Sequence, residues 1–228
     1  MKRALIIDTE TTGLDAAKDR VIEVGTILYG LEHATVLTSY STLLNGEGNA
    51  AEAINRIPPA ALVDAPPPGA VWDRILTLAK NADVILAHNA SFDRGFVPEE
   101  LRTIRPWICT KDDMQWPKQT KPGMSLVALA LEHDLGVAVA HRALADCDLI
   151  ARLLTRSREL GADLDAMLAR GLRPKGDFIA LVSFEEKDKA KDAGFSWNAT
   201  ARQWQRRMAI EDAAALPFRT RQQLGGEG

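Results

Sequence analysis

The sequence has few cysteines, no long apolar run and little net charge. Its two cysteines, Cys109 and Cys147, are too few for a disulfide framework and lack the spacing of a zinc site. No apolar stretch approaches the roughly 20 residues that a membrane-spanning helix needs. Asp8 stops the apolar run at the start of the chain, so this run is too short for a signal-peptide core. We therefore expect a cytoplasmic protein that does not bind membranes.

The small net charge hides a difference between the two ends of the chain. A formal net charge of -3 at pH 7 argues against a protein that coats nucleic acid without specificity. Residues 1–171 contain 18 Lys and Arg against 23 Asp and Glu, whereas residues 172–228 contain 10 against 8. The weakly basic C-terminal end is compatible with a patch that contacts phosphate groups.

Stretches with the pattern of a β-strand alternate with stretches with the pattern of an α-helix along most of the chain. Strand-like stretches, which are short and rich in β-branched residues, occur at 4–8, 21–29, 35–44, 83–88 and 107–109. Helical patterns occur at 51–62 in short pieces, at 70–80, from about 91, and at 125–133, 142–160 and 161–170. This alternation predicts an α/β fold with helices packed on a sheet.

A segment rich in glycine and proline, 171–176, predicts a linker. We expect one domain over residues 1–172, a small α+β module over 173–220 and a flexible tail over 221–228. Within the module, an apolar stretch at 178–182, a capping-box pattern from Ser183 to Glu186 and a stop at Gly194 predict a strand, a helix and a second strand.

The module also contains aromatic residues beside basic ones, which allows two interpretations. Phe195, Trp197 and Trp204 could stack on unpaired bases. Alternatively, so short a segment needs its aromatic residues for a core, and for the tryptophans we favour this second interpretation. Binding of nucleic acid through basic side chains remains open for Lys187, Lys191, Arg202, Arg206 and Arg207.

Two carboxylates follow the first predicted strand. Asp8 and Glu10 are two residues apart, so the alternation of a strand places both on one side of the chain. An isolated Asp-x-Glu pair is more often an ordinary polar strand end. The residues that follow favour a binding site, because small hydroxyls and a glycine allow a substrate to approach the backbone closely and an apolar side chain can wedge against a base. These residues are Thr11, Thr12, Gly13 and Leu14.

Two further aspartates lie on inward faces of predicted helices. Asp93 shares a helix face with Phe96 and Val97. Asp146 aligns with an apolar stripe, whereas Asp148 lies off that stripe. A buried aspartate is strongly disfavoured unless it is paired or binds a cation. We therefore assign Asp93 and Asp146 to a functional site and Asp148 to a solvated face.

Four carboxylates that meet at one site require cations. Each ionised pair at 4 Å costs about 4 kcal/mol at an effective dielectric near 20. Two Mg²⁺ ions, or Mn²⁺ in their place, would cancel this charge, and such a pair stabilises in-line displacement at phosphorus. His141 lies ahead of the Asp146 helix and is a candidate base for the attacking water. His88 and Asn89 end a predicted strand close to Asp93. They could contact the substrate or form an ordinary hydrogen-bonded strand end, and the sequence is equally compatible with both roles.

The segments DTETTGL, HNASFD and HRALADCD resemble, in order and spacing, the three motifs of DEDDh-type 3′→5′ exonucleases. Within this family, AHNASFDRGFVPE, PWICT and HRALADCDLIARLL look closest to bacterial exonuclease X. The resemblance covers about residues 4 to 160. It implies a ribonuclease H-like fold and two Mg²⁺ ions held by Asp8, Glu10, Asp93 and Asp146, with His141 as general base.

The resemblance also implies release of 5′-mononucleotides from the 3′ end of single-stranded or frayed DNA, with contact to replication or repair proteins. Two alternatives remain open, namely an exoribonuclease that uses the same site and a nucleic-acid-binding scaffold without activity. One departure from the family pattern is the segment 54–57, which replaces a frequent His-Gly pair. The C-terminal module resembles a small domain of unknown function found beside DNA-processing enzymes.

Overall fold

The chain forms two β-sheets, each accompanied by helices. The structure, a computed structural model, describes residues 1–138 and 141–223. The strands of the first sheet are β1 (Arg3–Thr11), β2 (Val21–Gly30), β3 (Thr35–Leu43), β4 (Val84–Ala87) and β5 (Trp107–Cys109). They lie in the order β3-β2-β1-β4-β5. Strands β1, β2 and β3 pair antiparallel, while β4 pairs parallel with both β1 and β5.

The helices of this first unit cover both faces of the sheet. They are α1 (Glu52–Asn55), α2 (Pro68–Lys80), α3 (Ala90–Phe96), α4 (Glu99–Thr103), α5 (Leu126–Glu132), α6 (Ala143–Glu159) and α7 (Leu164–Gly171). Helices α5, α6 and α7 pack on one face, and α2, α3 and α4 pack on the other. This mixed sheet between helices confirms the predicted α/β fold. In the described ranges, no helix combines the length and apolar composition needed to cross a bilayer.

Strand β2 is mostly apolar and is buried along its whole length. Every residue of β2 is buried, because its neighbours β1 and β3 pair on both sides and helix α6 covers one face. Strand β3 lies at the sheet edge and none of its residues is fully buried. Strands β1 and β4 are parallel, so their carboxyl ends meet at one edge of the sheet. Functional side chains on the loops that follow these strands are thereby brought together.

The C-terminal module is a second sheet with two short helices. Its elements are β6 (Lys175–Ala180), α8 (Lys187–Asp192), β7 (Ser196–Asn198), β8 (Gln203–Ala209), α9 (Ile210–Ala214) and β9 (Thr220–Gln223). The strands lie in the order β7-β8-β6-β9 and all pair antiparallel. The predicted strand-helix-strand arrangement therefore omitted one helix and two of the strands.

Two further expectations for the module need correction. The predicted capping box forms in part, because Ser183 N donates to Glu186 Oε2 at 3.4 Å, but the helix starts later than predicted and α8 begins at Lys187. Residues 221–223, which were expected to lie in the tail, pair with β6 as part of β9. The remaining tail residues, 224–228, lie outside the described residues. The domain boundary near residue 172 stays a prediction.

The aromatic residues of the module divide between core and surface. Phe195 is 3% exposed and packs with Phe178 and Met208, as a core role requires. Trp197 is 51% exposed, so the expectation of a core role was wrong for this residue. Because β7 is a three-residue edge strand, Trp197 has a strand neighbour on one side only. That neighbour carries Trp204, whose ring centroid lies 5.6 Å from that of Trp197.

Ion pairs connect the module to the first unit. Lys175 Nζ lies 2.8 Å from Asp113 Oδ2, and the two side chains are 15% and 11% exposed. Arg170 of the first unit contacts Asp212 of α9 at 2.9 Å, and Arg173, at the start of the module, contacts the same carboxylate at 2.7 Å. The segment that the sequence indicates as a linker therefore carries charged side chains that hold the two units together.

Candidate active site

Strand β1 contributes the first two carboxylates of the site. Asp8 and Glu10 are both half-buried and point to the face that α6 covers. In the register with β2, Asp8 lies opposite Gly25 and Glu10 lies opposite Glu23. The register shifts between Glu10 and Thr11, and such a bulge redirects the chain at the end of a pairing. The two carboxylates thus occupy the last regular positions of the strand.

Helix α3 contributes the third carboxylate. Asp93 is 2% exposed and lies in the first turn of α3. Its Oδ1 accepts hydrogen bonds from Thr9 N at 2.9 Å and from Thr9 Oγ1 at 2.8 Å. Asn89, with a φ of 74°, makes the turn from β4 into this helix. The two Thr9 contacts fix Asp93 against the end of β1, next to Asp8 and Glu10.

Helix α6 contributes the fourth carboxylate, and the histidine lies just ahead of the helix. Ligand atoms of Glu10, His141 and Asp146 all lie within 4.8 Å of one another. His141 is exposed and has a φ of 60°, while Asp146 is half-buried. Asp148 points away from this group and lies 3.9 Å from Arg152 in an exposed ion pair. The structure therefore brings His141 and Asp146 to β1 and leaves Asp148 at the surface.

Close packing at Gly25 brings α6 to this position. A Cβ atom on Gly25 would lie 2.4 Å from Ala143 C and Leu144 N, so only glycine allows the helix backbone so near to β2. Cys147 Sγ lies 3.2 Å from Gly25 O. Gly25 is also the residue opposite Asp8, so the same contact brings the start of α6 beside the first carboxylate.

An ion pair between buried Glu23 and exposed Arg142, which was not predicted from the sequence, fixes the start of α6. Glu23 is 3% exposed and accepts hydrogen bonds from Arg142 Nη2 at 2.7 Å and Arg142 Nε at 3.0 Å. It also accepts a hydrogen bond from Ala143 N at 3.1 Å, which satisfies a free amide of the first helical turn. The signal in the sequence is a single glutamate in the apolar run of β2.

Burial raises the pKa of all four carboxylates, and repulsion from other carboxylates of the group adds to the shift at Asp8, Glu10 and Asp93. Burial, followed by the charges of Asp93, Asp146 and Glu10, raises the pKa of Asp8 well above its usual range. Burial, followed by the charge of Asp146, raises the pKa of Glu10 to about 7. Burial also raises the pKa of Asp93 and of Asp146, although the Thr9 hydrogen bonds oppose the shift at Asp93 and the charge of His141 opposes it at Asp146. The cluster therefore favours a bound cation or a bound proton.

The loop after Glu10 is held by its own side chains. Thr11 Oγ1 donates to Gly13 O at 2.6 Å, and Thr12 Oγ1 donates to Asp19 Oδ1 at 3.1 Å. A Cβ atom on Gly13 would lie 2.4 Å from the Asp19 carboxylate. Leu14 is 86% exposed and projects from this loop. The hydroxyls stabilise the loop, while the apolar side chain at its tip is free to contact a base.

Asn55 also stabilises this loop, and this role was not predicted from the sequence. It is 1% exposed, and its Nδ2 donates to Thr11 O at 3.3 Å. Its Oδ1 accepts from Asn49 Nδ2 at 2.8 Å and from Ile57 N at 3.1 Å. Asn55 belongs to the segment that replaces the frequent His-Gly pair of the family, and its contacts there are structural.

His88 and Asn89 differ in their surroundings. The ring nitrogens of His88 lie 3.1 Å from Thr110 Oγ1 and 3.1 Å from Met124 O. Burial lowers the pKa of His88 to about 4. These contacts favour the hydrogen-bonded strand end for His88 over a substrate contact. Asn89 is exposed, so its side chain is accessible to a substrate.

Comparison with known proteins identifies the family. An exonuclease family model matches residues 5–154, and the model of a domain of unknown function matches residues 177–223. The epsilon subunit of DNA polymerase III from Treponema pallidum is 31% identical over 164 residues, which cover 65% of this chain and 73% of that protein. Exodeoxyribonuclease 10 of Escherichia coli is 32% identical over 160 residues, which cover 65% of this chain and 66% of that protein.

A solved structure of exonuclease X in complex with 5′ overhanging duplex DNA has 29% sequence identity and a TM-score of 0.56, and the match covers 74% of this chain and 99% of that chain. The chain spans only 12% of the length of the PolC-type DNA polymerase III proteins that it also matches. These matches confirm the resemblance to 3′→5′ exonucleases, the predicted enzyme class and the ribonuclease H-like fold. The chain therefore belongs to the exonuclease family.

Proposed function

We propose that this enzyme is a metal-dependent 3′→5′ exodeoxyribonuclease that removes 5′-mononucleotides from single-stranded or frayed DNA ends. The observation that carries this proposal is the meeting of Glu10 from β1 and Asp146 from α6 with His141, next to the buried carboxylates of Asp8 and Asp93. The solved exonuclease X complex, which contains a 5′ overhanging duplex DNA, supports DNA as the substrate.

The carboxylates would hold two divalent cations. Asp8, Glu10, Asp93 and Asp146 offer hard oxygen ligands, which suit Mg²⁺ and also Mn²⁺. Their raised pKa values fit this role, because a cation would relieve the repulsion that burial strengthens. When bound, the cations would supply charge stabilisation at the scissile phosphate and a lowered pKa of attacking water.

His141 would act as the general base. It is exposed, so a water and a phosphate can reach its ring, and a ring nitrogen lies within 4.8 Å of the Glu10 and Asp146 oxygens. Imidazole is the side chain that most often serves as a general base, and the Glu10 and Asp146 carboxylates lie beside it. A positioned base of this kind contributes about 10²- to 10⁴-fold to a rate.

The loop from Thr11 to Leu14 would hold the terminal nucleotide. Its internal hydrogen bonds and its contact with Asn55 make it rigid before a substrate arrives. Leu14 would pack against the terminal base, which is easiest when that base is unpaired. Asn89, at the start of α3, would contact the substrate on the side of Asp93.

A digestion assay with matched labelled strands tests the proposal. DNA and RNA of one sequence, labelled at either end, are incubated with the enzyme and Mg²⁺ or with excess chelator. We expect Mg²⁺-dependent shortening of DNA from the 3′ end with release of 5′-mononucleotides. Asp146→Asn should abolish the reaction and weaken Mg²⁺ binding, whereas His141→Asn should slow it about 10²- to 10⁴-fold and retain Mg²⁺ binding.

The matched control is Asp148→Asn, which changes the same residue type on the same helix outside the site. It should retain the wild-type rate. Shortening that persists in chelator, or an Asp146→Asn variant as active as Asp148→Asn, would contradict the metal assignment. Preference for the RNA strand would show that the substrate is RNA and not DNA. The proposed chemistry would then still hold.

A further inference from the structure

A cleft of about 600 Å³ lies between the two units of the chain. One wall belongs to the exonuclease unit and the other to the C-terminal module. The polar residues that define it are Asn89, Lys111 and Lys121 on the first wall and Lys191, Gln205 and Arg207 on the second. The cleft is therefore formed by both units and exists in neither unit alone.

The charge of this cleft is opposite to that of the exonuclease unit. Residues 1–171 contain five more acidic than basic residues, 23 against 18. The cleft, in contrast, has five basic lining residues, the two arginines at 206 and 207 and three lysines, against Asp112 and Asp177. Asp177 is paired with Arg207 at 3.2 Å. Within residues 1–138 and 141–223, Lys111, Lys121 and Lys191 form no ion pair, so their charges are available to a ligand.

The module wall of the cleft is the polar face of its sheet. Along β8, Gln205 and Arg207 line the cleft, and Trp204 and Met208 on the other face pack toward the core of the module, while Arg206 between them also lines the cleft. Amide and guanidinium groups on a sheet face can contact phosphate and base edges. The exposed charge and the amide groups exclude an apolar partner and favour a polyanion.

One lining residue, Asn89, connects the cleft with the candidate active site. Asn89 lines the cleft and also makes the turn into α3, which carries Asp93. Strand β4, which ends at Ala87, is parallel to β1, so Asn89 lies at the same end of the sheet as Asp8 and Glu10. The cleft therefore has one wall residue at the end of the sheet where the carboxylates lie.

We propose that the cleft binds the sugar–phosphate backbone of the DNA strand whose 3′ end occupies the active site. This inference rests on the proposed function. Lys111, Lys121 and Lys191 contact successive phosphates, and the module thereby extends the binding site beyond the terminal nucleotide. The C-terminal module is thus a substrate-binding element that works together with the exonuclease unit.

Equilibrium binding without catalysis tests the cleft. Fluorescence anisotropy is measured in excess chelator with DNA strands of about 20 and about 4 nucleotides over a salt series. We expect the triple variant Lys111→Gln, Lys121→Gln, Lys191→Gln to bind the longer strand about tenfold more weakly than the wild type. The slope of log affinity against log salt should become less steep by about 2, because three phosphate contacts of about 0.7 each are lost.

The control variant carries Lys2→Gln, Lys80→Gln and Lys189→Gln, three exposed lysines that do not line the cleft. It has the same net charge as the triple variant and should keep the wild-type affinity and slope. If half-buried Lys111 is needed for folding, the double variant Lys121→Gln, Lys191→Gln should still reduce the slope by about 1.4, because two contacts of about 0.7 each are lost.

Wild-type affinity and slope in the cleft variants would overturn the proposal. If such an enzyme still shortens DNA from the 3′ end, the proposed function stands and only the cleft assignment fails. A wild type that binds the longer strand through these lysines but does not shorten it would overturn the proposed function and leave the cleft assignment in place.

Discussion

Burial keeps His88 neutral in the folded protein. Its two ring nitrogens are engaged by Thr110 and Met124, and burial lowers its pKa from 6.5 to about 4. In the unfolded chain the imidazole is solvated and titrates near its ordinary pKa. Between these two values the unfolded state binds more protons than the folded state. The free energy of unfolding therefore decreases as the pH falls through this window.

This difference predicts a pH-dependent contribution of His88 to stability. At about pH 5 the wild type should lose about 2 kcal/mol relative to about pH 7.5 through this residue, and His88→Gln should not show this loss. Urea unfolding at the two pH values measures the effect. Exposed His33→Gln should keep the wild-type pH dependence. Parallel pH profiles for the wild type and His88→Gln would contradict the assignment.

Individual site residues could be predicted from the sequence where a local pattern marks them. The apolar stripe of one helix separates Asp146 from Asp148, and the structure places Asp148 in an exposed ion pair. Glu23 could not be assigned in this way, because its partner Arg142 lies 119 positions away. Asn55 supports Thr11 across 44 positions. Partners that only the fold brings together have no signal in a local pattern.

At the scale of elements, the contact of α6 with β2 determines where Asp146 lies. Gly25 allows the helix backbone to approach the strand, and Glu23 holds Arg142 and Ala143 at the helix start. Strand β2 thus allows a close backbone approach at Gly25 and supplies a hydrogen-bonding carboxylate at Glu23. The position of the fourth carboxylate therefore depends on residues of β2 that do not bind the substrate.

We expect Gly25→Ala to displace α6. The new Cβ atom would overlap the backbone at Ala143 and Leu144, which should lower the free energy of unfolding by about 1–3 kcal/mol. Displacement of Asp146 by about 1 Å should reduce the exonuclease rate about 100-fold. The control is Gly30→Ala in the same strand, where the nearest atoms belong to the Leu37 side chain at 3.2 to 3.5 Å. Equal rates for the two variants would show that α6 tolerates the contact.

The regular elements of the first unit could be predicted because apolar periodicity is strong there. Strand β5 was predicted with its observed bounds, and the helix predicted at 142–160 corresponds to α6. The elements of the module were harder to predict from the sequence, because its helices are five or six residues long and β7 has three residues. Short elements bury little surface and leave weak patterns. Strand β9 has one half-buried residue and three exposed ones, so its sequence resembles that of a tail.

At the scale of the whole molecule, the junction between the two units is charged. The Lys175 and Asp113 side chains are both mostly buried at this junction. Lys175 Nζ also donates to Gly171 O at 2.7 Å, and Asp113 Oδ2 accepts from Cys109 N at 2.8 Å. Removal of one partner would leave the other charge buried without compensation.

Lys175→Gln should therefore lower the free energy of unfolding by about 3–5 kcal/mol. The control is Lys189→Gln, which removes an ion pair with Glu186 that is about half exposed on both sides and should cost about 1 kcal/mol or less. Urea unfolding of both variants measures the difference. A loss in Lys175→Gln no larger than that in Lys189→Gln would show that the junction contributes little to stability.

The register of β1 with β2 also limits which insertions the chain can accept. Asp8 faces Gly25 and Glu10 faces Glu23, so each of the two carboxylates is matched by a residue that positions α6. One extra residue in β1 ahead of Asp8 would turn both carboxylates to the opposite face of the sheet, and one extra residue in β2 between Glu23 and Gly25 would break their match with Asp8 and Glu10. The exposed turn at residues 15–18 has no such constraint. Natural variation in chain length between the two strands should therefore be confined to that turn.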